Sequence, residues 1–392
     1  MNVHPPVDLS ALAGLMLVGA VLALLPLLWV GWRNRSASPV KRLHALTLLT
    51  LVLTFDLVLF GAFTRLTDSG LGCPDWPGCY GNATPLGAKG QIAQAQAVMP
   101  TGPVTTGKAW IEMTHRYFAT GVGALILVLA VASWLNRKRD NSEHRVTPWW
   151  ATVTLIWVCI QGAFGALTVT MKLFPAIVTL HLLGALLLLA LLTVQVVQHS
   201  QAGYQMGTAD RQTLDAATQR LVWVAFAAIA LQIALGGWVS TNYAVLACSE
   251  FPKCQGSWWP AMNFAQGFEI WRKLGLTQAG EIISFEALTA IHYAHRMMAV
   301  VVVLVTVVLA WRLNGMPRMR PASRWIAALL GLQLATGLSN VVLGWPLLAA
   351  LLHTGGAAAL VIALTWVVAA GRVSVHAGAP RVSGLNMSGL ST

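Results

Sequence analysis

The chain has 392 residues, of which 56% are hydrophobic and only 10% charged, and its mean hydropathy is +0.66. A soluble domain carries roughly 25% charged residues, so this composition excludes an ordinary water-soluble enzyme and predicts an all-α integral membrane protein. The formal net charge of +12 does not indicate a nucleic-acid partner, because the basic residues fall in alternate loops between apolar runs.

Nine apolar runs are long enough to cross a bilayer as helices. They cover residues 10–32, 43–65, 110–135, 149–170, 176–198, 219–241, 286–311, 324–344 and 347–370. The first run has no basic segment before it and no small-residue cleavage site, which predicts a retained helix rather than a signal peptide. Arg33, Arg35, Lys41 and Arg42 follow the first run, and Arg137, Lys138, Arg139 and Arg145 follow the third. Arg211 and Arg220 follow the fifth, and Arg312, Arg318, Arg320 and Arg324 the seventh. The positive-inside rule places these loops in the cytoplasm of a bacterial inner membrane, with the N-terminus outside and the C-terminus inside. The tail from 372 to 392, rich in Gly and Ser beyond Ala377, has no apolar face to bury and is expected to be disordered.

Two long loops, 66–109 and 242–285, fall on the outer side. Each carries a cysteine pair, CPDWPGC at Cys73 and Cys79 and CSEFPKC at Cys248 and Cys254. An oxidising outer compartment predicts a disulfide within each loop. The rival reading, a zinc site, lacks a second cysteine pair or a histidine at ligand spacing. Cys159, in mid-helix, reads as a small apolar filler.

These pairs expose a duplication. Cys73 and Cys79 recur 175 positions later as Cys248 and Cys254, with Gly61 onto Gly236, Pro77 onto Pro252 and Gly81 onto Gly256. His115 and Arg116 recur 180 positions on as His295 and Arg296. His181, Gln161 and Gly165 recur 172 positions on as His353, Gln333 and Gly337. The predicted organisation is an extra helix and loop (1–42), two parallel four-helix halves (43–200 and 201–371), and the tail (372–392).

Each half places one histidine on its second helix and one on its fourth, within about 8 to 14 Å of the outer ends at roughly 1.5 Å per residue. Ionisable groups inside a membrane mark a site by default. Two imidazoles at similar depth on different helices fit a planar ligand between them, and haem is the group whose iron takes imidazole on both faces. Gly184, Gly355 and Gly356 lie close after the histidines of the fourth helices and would leave room for a porphyrin face. A di-iron bundle needs two Glu-x-x-His motifs, and here only Glu112–His115 forms one, because the second half has His292 at that place. His292 competes with His295 as a ligand or stands behind it. Glu112, three residues from His115, shares its helix face and is positioned to accept a proton. Arg116 and Arg296 either pair with haem propionates or reach the headgroups.

Taken in order, FTRLTDSGLGCPDWPGCYG, EMTHRYFATGVG, TLHLLGALL, IHYAHRM and LLHTGGA resemble haem A synthase, the cytochrome oxidase assembly family, over nearly all of residues 43 to 371. The resemblance implies a duplicated eight-helix membrane enzyme, so the first helix here is an addition. It implies conversion of haem O to haem A by oxidation of a porphyrin methyl group to a formyl group, through successive hydroxylations, for cytochrome oxidase biogenesis. His115 and His181 would flank the substrate haem, and His295 and His353 would ligate a haem b cofactor. Glu112 matches the family's essential carboxylate, and Cys73 and Cys79 its loop cysteines, which are linked to activity. The implied partners are the lipid bilayer, haem O handed over by haem O synthase, and an electron acceptor that the sequence does not name; a homo-oligomer stays open. The alternatives are a di-haem b-type electron-transfer cytochrome and a haem-carrier assembly factor. Glu112 beside one histidine only, and four histidines toward one side of the membrane, favour the enzyme.

Overall fold

A computed structural model of the chain describes residues 9–139, 146–203 and 213–373. Arg145, Arg211 and the tail beyond 373 lie outside the described residues, and with them the expectation of a disordered tail. The elements run α1 (Leu9–Arg33), α2 (Pro39–Leu66), α3 (Lys89–Val98), α4 (Thr106–Arg139), α5 (Trp149–Thr170), α6 (Pro175–Gly203), β1 (Thr213–Leu214), α7 (Ala216–Thr241), α8 (Phe264–Gly267), α9 (Phe285–Asn314), α10 (Arg320–Val342), α11 (Leu347–Ala370) and β2 (Arg372–Val373). Among the described residues, nine of the helices are long and apolar enough to cross a membrane. The chain is an all-α multi-pass membrane protein.

Two of the spans begin earlier than hydropathy alone indicates because a polar cap rather than the apolar run sets the helix start. The Ser38 hydroxyl accepts the Lys41 amide ahead of Pro39, so α2 starts before its apolar run. Thr105 Oγ1 accepts the Lys108 amide at 3.3 Å and starts α4 at Thr106 rather than near Trp110. His115 therefore lies nine residues past the first residue of its helix, and His295 ten past Phe285.

The spans pack as two four-helix rings. In the first, α2 contacts α4 and α6, and α5 contacts both α4 and α6; α7, α9, α10 and α11 repeat the pattern. The rings meet where α6 packs on α11, α11 on α2 and α6 on α7. One apolar cluster runs through this junction, including Leu189 and Leu192 of α6, Val222 and Ala225 of α7, and Leu364 and Val367 of α11. The extra helix α1 packs on α4, where its Gly19 lies against Thr120 so closely that a Cβ would overlap that side chain. β1 and β2 pair in parallel, which ties the link between the rings to the residues after α11.

The disulfides Cys73–Cys79 and Cys248–Cys254 lie in equivalent loops. The repeat extends to the backbone. Tyr80–Gly81 and Gln255–Gly256 both take positive φ, and Cys79 pairs with Asn82 as Cys254 does with Ser257. Basic side chains at this end are drawn onto main-chain carbonyls: Arg65 onto Ser240 (2.5 Å), Lys172 onto Pro74 (3.1 Å) and Lys108 onto Gly102 (3.1 Å). At this end the two halves also clasp each other. The Tyr243 hydroxyl donates to Asp68 (2.6 Å), and Arg65 lies 4.1 Å from the centre of the Tyr243 ring.

Cys159 corrects the sequence reading: it is exposed on the outside of α5 and fills no core gap. The four disulfide sulfurs belong to residues at most 1% exposed. A membrane-permeant maleimide is thus expected to label only Cys159 in the unreduced protein, read by peptide mass analysis. Modification of the loop cysteines without reductant would contradict the pairing.

Candidate functional site

The four histidines come together two by two, one pair in each ring. The imidazoles of His115 on α4 and His181 on α6 lie within electrostatic reach of each other. Those of His295 on α9 and His353 on α11 have centroids 6.5 Å apart with planes at 78°. An iron between two imidazoles needs about 2 Å to each nitrogen plus roughly one ångström from nitrogen to ring centre. The observed separation agrees with that requirement.

Each ring rests against a glycine on a neighbouring helix. A Cβ at Gly61 would stand 3.0 Å from His115 Nε2, and one at Gly236 2.9 Å from His295 Cε1. Gly165 and Gly337 stand in the same relation to His181 and His353, at 3.4 and 3.2 Å from Cε1. These four glycines, on α2, α7, α5 and α10, clear the space for the imidazoles. The glycines beside the histidines in sequence do something else, which corrects the porphyrin-face reading. A Cβ at Gly184 would strike the Gln161 amide oxygen and one at Gly356 the Gln333 amide nitrogen, while Gly355 faces Leu59 of α2.

Those glutamines orient the histidine segments. Gln161 Nε2 lies 3.1 Å from His181 Nδ1 and donates to the His181 carbonyl at 2.5 Å. Gln333 donates to the His353 carbonyl at 2.9 Å, and Thr336 Oγ1 takes His353 Nδ1 at 3.0 Å. Gln232 Nε2 lies 3.4 Å from His295 Nε2 and donates to the His295 carbonyl at 3.2 Å. Gln161 and Gln333 were visible as repeat partners. Gln232 and Thr336 have no counterpart in the first half and escape a search for repeats.

Glu112 and Arg116, one turn apart, are buried at 4% and 8% exposure. Glu112 Oε1 accepts from Arg116 at 2.5 Å, and Oε2 accepts the Cys73 amide at 2.7 Å. Arg116 also donates to the carbonyls of Asp75 (3.0 Å), Pro77 (3.2 Å) and Gly78 (2.6 Å). The pair thus clamps the first disulfide loop onto α4. Arg296 does the same in the second half through the carbonyls of Cys248, Glu250 and Lys253. His292, in the place of Glu112, accepts from Arg296 Nε at 3.2 Å. Both arginines thus donate to carbonyls of their own disulfide loop. His292 faces its arginine, and His295 is the residue that meets His353. Among the described residues, no group of three or more His, Cys, Asp or Glu side chains gathers as a metal cage. The arrangement is one of paired imidazoles.

The family model described as cytochrome oxidase assembly protein, COX15-CtaA, matches residues 44–365. The chain belongs to this family. The match takes in all four histidines, both disulfides and Glu112, and leaves out α1. Within the cytochrome oxidase assembly family, the Heme A synthase of Shewanella oneidensis is 36% identical over 321 residues, 81% of this chain and 92% of that one. The Heme A synthase of Halalkalibacterium halodurans is 27% identical, covering 75% of this chain and 85% of its own length. That of Rhizorhabdus wittichii is 26% identical, covering 85% and 95%.

Proposed function

We propose that the chain is a haem A synthase that oxidises a methyl group of haem O to a formyl group and so supplies haem A for cytochrome oxidase. The observation that carries this reading is one imidazole pair in each ring, with a buried carboxylate beside the first pair only. The similarity to relatives named Heme A synthase supports it.

In this reading His115 and His181 would hold substrate haem O in the first ring, and His295 and His353 would hold haem b in the second. Haem b supplies one-electron redox chemistry when bound. The protein's own groups do the positioning. Gly61 and Gly165 let the rings of the first pair approach, and Gln161 fixes the orientation of His181. The clamped disulfide loop keeps water from Glu112. Converting the methyl group to a formyl group takes its oxygen from a water molecule and releases four protons and four electrons for each formyl group made. Glu112, held as an acceptor by Arg116 and the Cys73 amide, takes a proton on the disulfide side, and the electrons pass to a separate acceptor in the membrane. The disulfide end faces outward in a bacterial inner membrane, so the chain starts outside and ends in the cytoplasm. Haem O arrives from the bilayer, delivered by a haem O synthase.

The test is production of the chain in cells that make haem O but no haem A. Haem A in the extracted pigments is the expected result. Haem O and haem b alone would refute the assignment.

A further inference from the structure

The two rings treat their second-helix histidines differently. His295 is reached by Gln232 of α7, whose amide contacts both its ring and its carbonyl. The repeat places Leu57 of α2 at the position of Gln232, four residues before Gly61 as Gln232 is four before Gly236. His115 has no hydrogen bond to its ring among the described residues. It lies against Gly61 and stacks on Phe60, with centroids 6.2 Å apart and planes at 11°. The other three imidazoles each have a polar side chain on one ring nitrogen.

This difference bears on how firmly an iron is held. A histidine that binds iron through one nitrogen carries a hydrogen on the other, and a partner for that hydrogen fixes the ring and raises its basicity. Gln232 Oε1 is buried without a partner, and so is His295 Nδ1. Turning the Gln232 amide end for end would bring its oxygen to the ring N–H, in exchange for the bond its nitrogen now donates to the His295 carbonyl. His295 Nδ1 then remains as the free electron pair for a metal. Leu57 offers His115 nothing of the kind, and the His115 ring can leave an iron without breaking a hydrogen bond.

We propose that the residue at this repeat position sets how long each ring keeps its haem: Gln232 locks His295 for a resident haem, and Leu57 leaves His115 unlocked so that the first ring exchanges substrate for product. This rests on the assignment of haem b to the second ring. Gln232 is a positioning residue in this scheme and touches neither reactant.

The experiment mixes purified full-length protein with excess apomyoglobin and follows haem transfer by absorbance, with pigment analysis to tell the two haems apart. Gln232→Leu is expected to release haem b about 10- to 100-fold faster and to shift its midpoint potential, the size of effect seen when a partner of a metal ligand is removed. Gln232→Glu, which keeps an acceptor oxygen, should retain slow release. Leu57→Gln, in the other ring, should slow release of haem O or haem A by a similar factor. Unchanged haem b release from Gln232→Leu would overturn the proposal. If Gln232→Leu fails to assemble, unchanged release from Leu57→Gln overturns it alone. His353→Ala separates the two levels: full haem b in that variant sinks the site assignment, whereas its loss beside normal release from Gln232→Leu sinks only the lock.

Discussion

Glu112→Gln should fold, keep haem b and lose about 10²–10⁴-fold in haem A production, the range for removal of a general base. The substitution is nearly isosteric. The amide oxygen can still accept the Cys73 amide, which Glu112 Oε2 now takes at 2.7 Å, so the loop keeps one of its anchors. What disappears is the negative charge facing Arg116 at 2.5 Å. Removing one partner of a buried ion pair costs roughly 3–5 kcal/mol when the remaining charge is left alone. Arg116 Nη2 loses its acceptor, but the guanidinium charge is not left alone, since three loop carbonyls still accept from Nη1. The stability loss should therefore fall below that range. Haem b in the other ring reports on folding within the same sample, and haem O or a hydroxylated intermediate should accumulate. Normal haem A output per folded molecule would reduce Glu112 to a clamp for the disulfide loop.

The second large effect is expected from His295→Ala and His353→Ala. Either change should cut bound haem b at least about tenfold and abolish its low-spin spectrum, because loss of a mere neighbour of a ligand already costs 10–100-fold. The helices should survive the change. Each ring fills a space cleared by a glycine, Gly236 or Gly337, and lies outside the apolar cluster that joins the two rings. Full haem b with an unchanged spectrum in either variant would contradict the second-ring assignment.

The spans were legible because an apolar run longer than a bilayer is thick is rarely anything but a membrane helix. α3 was not. Lys89–Val98 is a short Ala- and Gln-rich helix with no side-chain cap, held to the rest of the fold by the burial of Ile92. Its helix formers were the available signal. β1 and β2 are two residues each and form only because the chain end returns to the link between the rings. Within the site, the duplication delivered the histidines and the disulfide cysteines, and Glu112 stood out as a place where the two copies differ. The duplication also picked out Gly61, Gly165, Gly236 and Gly337 without giving them a purpose, since the rings they admit belong to other helices. The loop contacts of Arg116 and Arg296 were not legible, because their partners are main-chain carbonyls some 40 residues away and a folded loop leaves no mark on composition. Exposure of Cys159 was equally hidden, because a helix wrapped in lipid is apolar on both its inner and outer faces.

Pigment extraction from the purified wild-type protein, with mass analysis of the haems, tests the division of labour between the two rings most directly. Haem b together with haem O, haem A or a hydroxylated intermediate is the predicted result. Haem b alone in both rings would contradict it and make the protein a di-haem cytochrome.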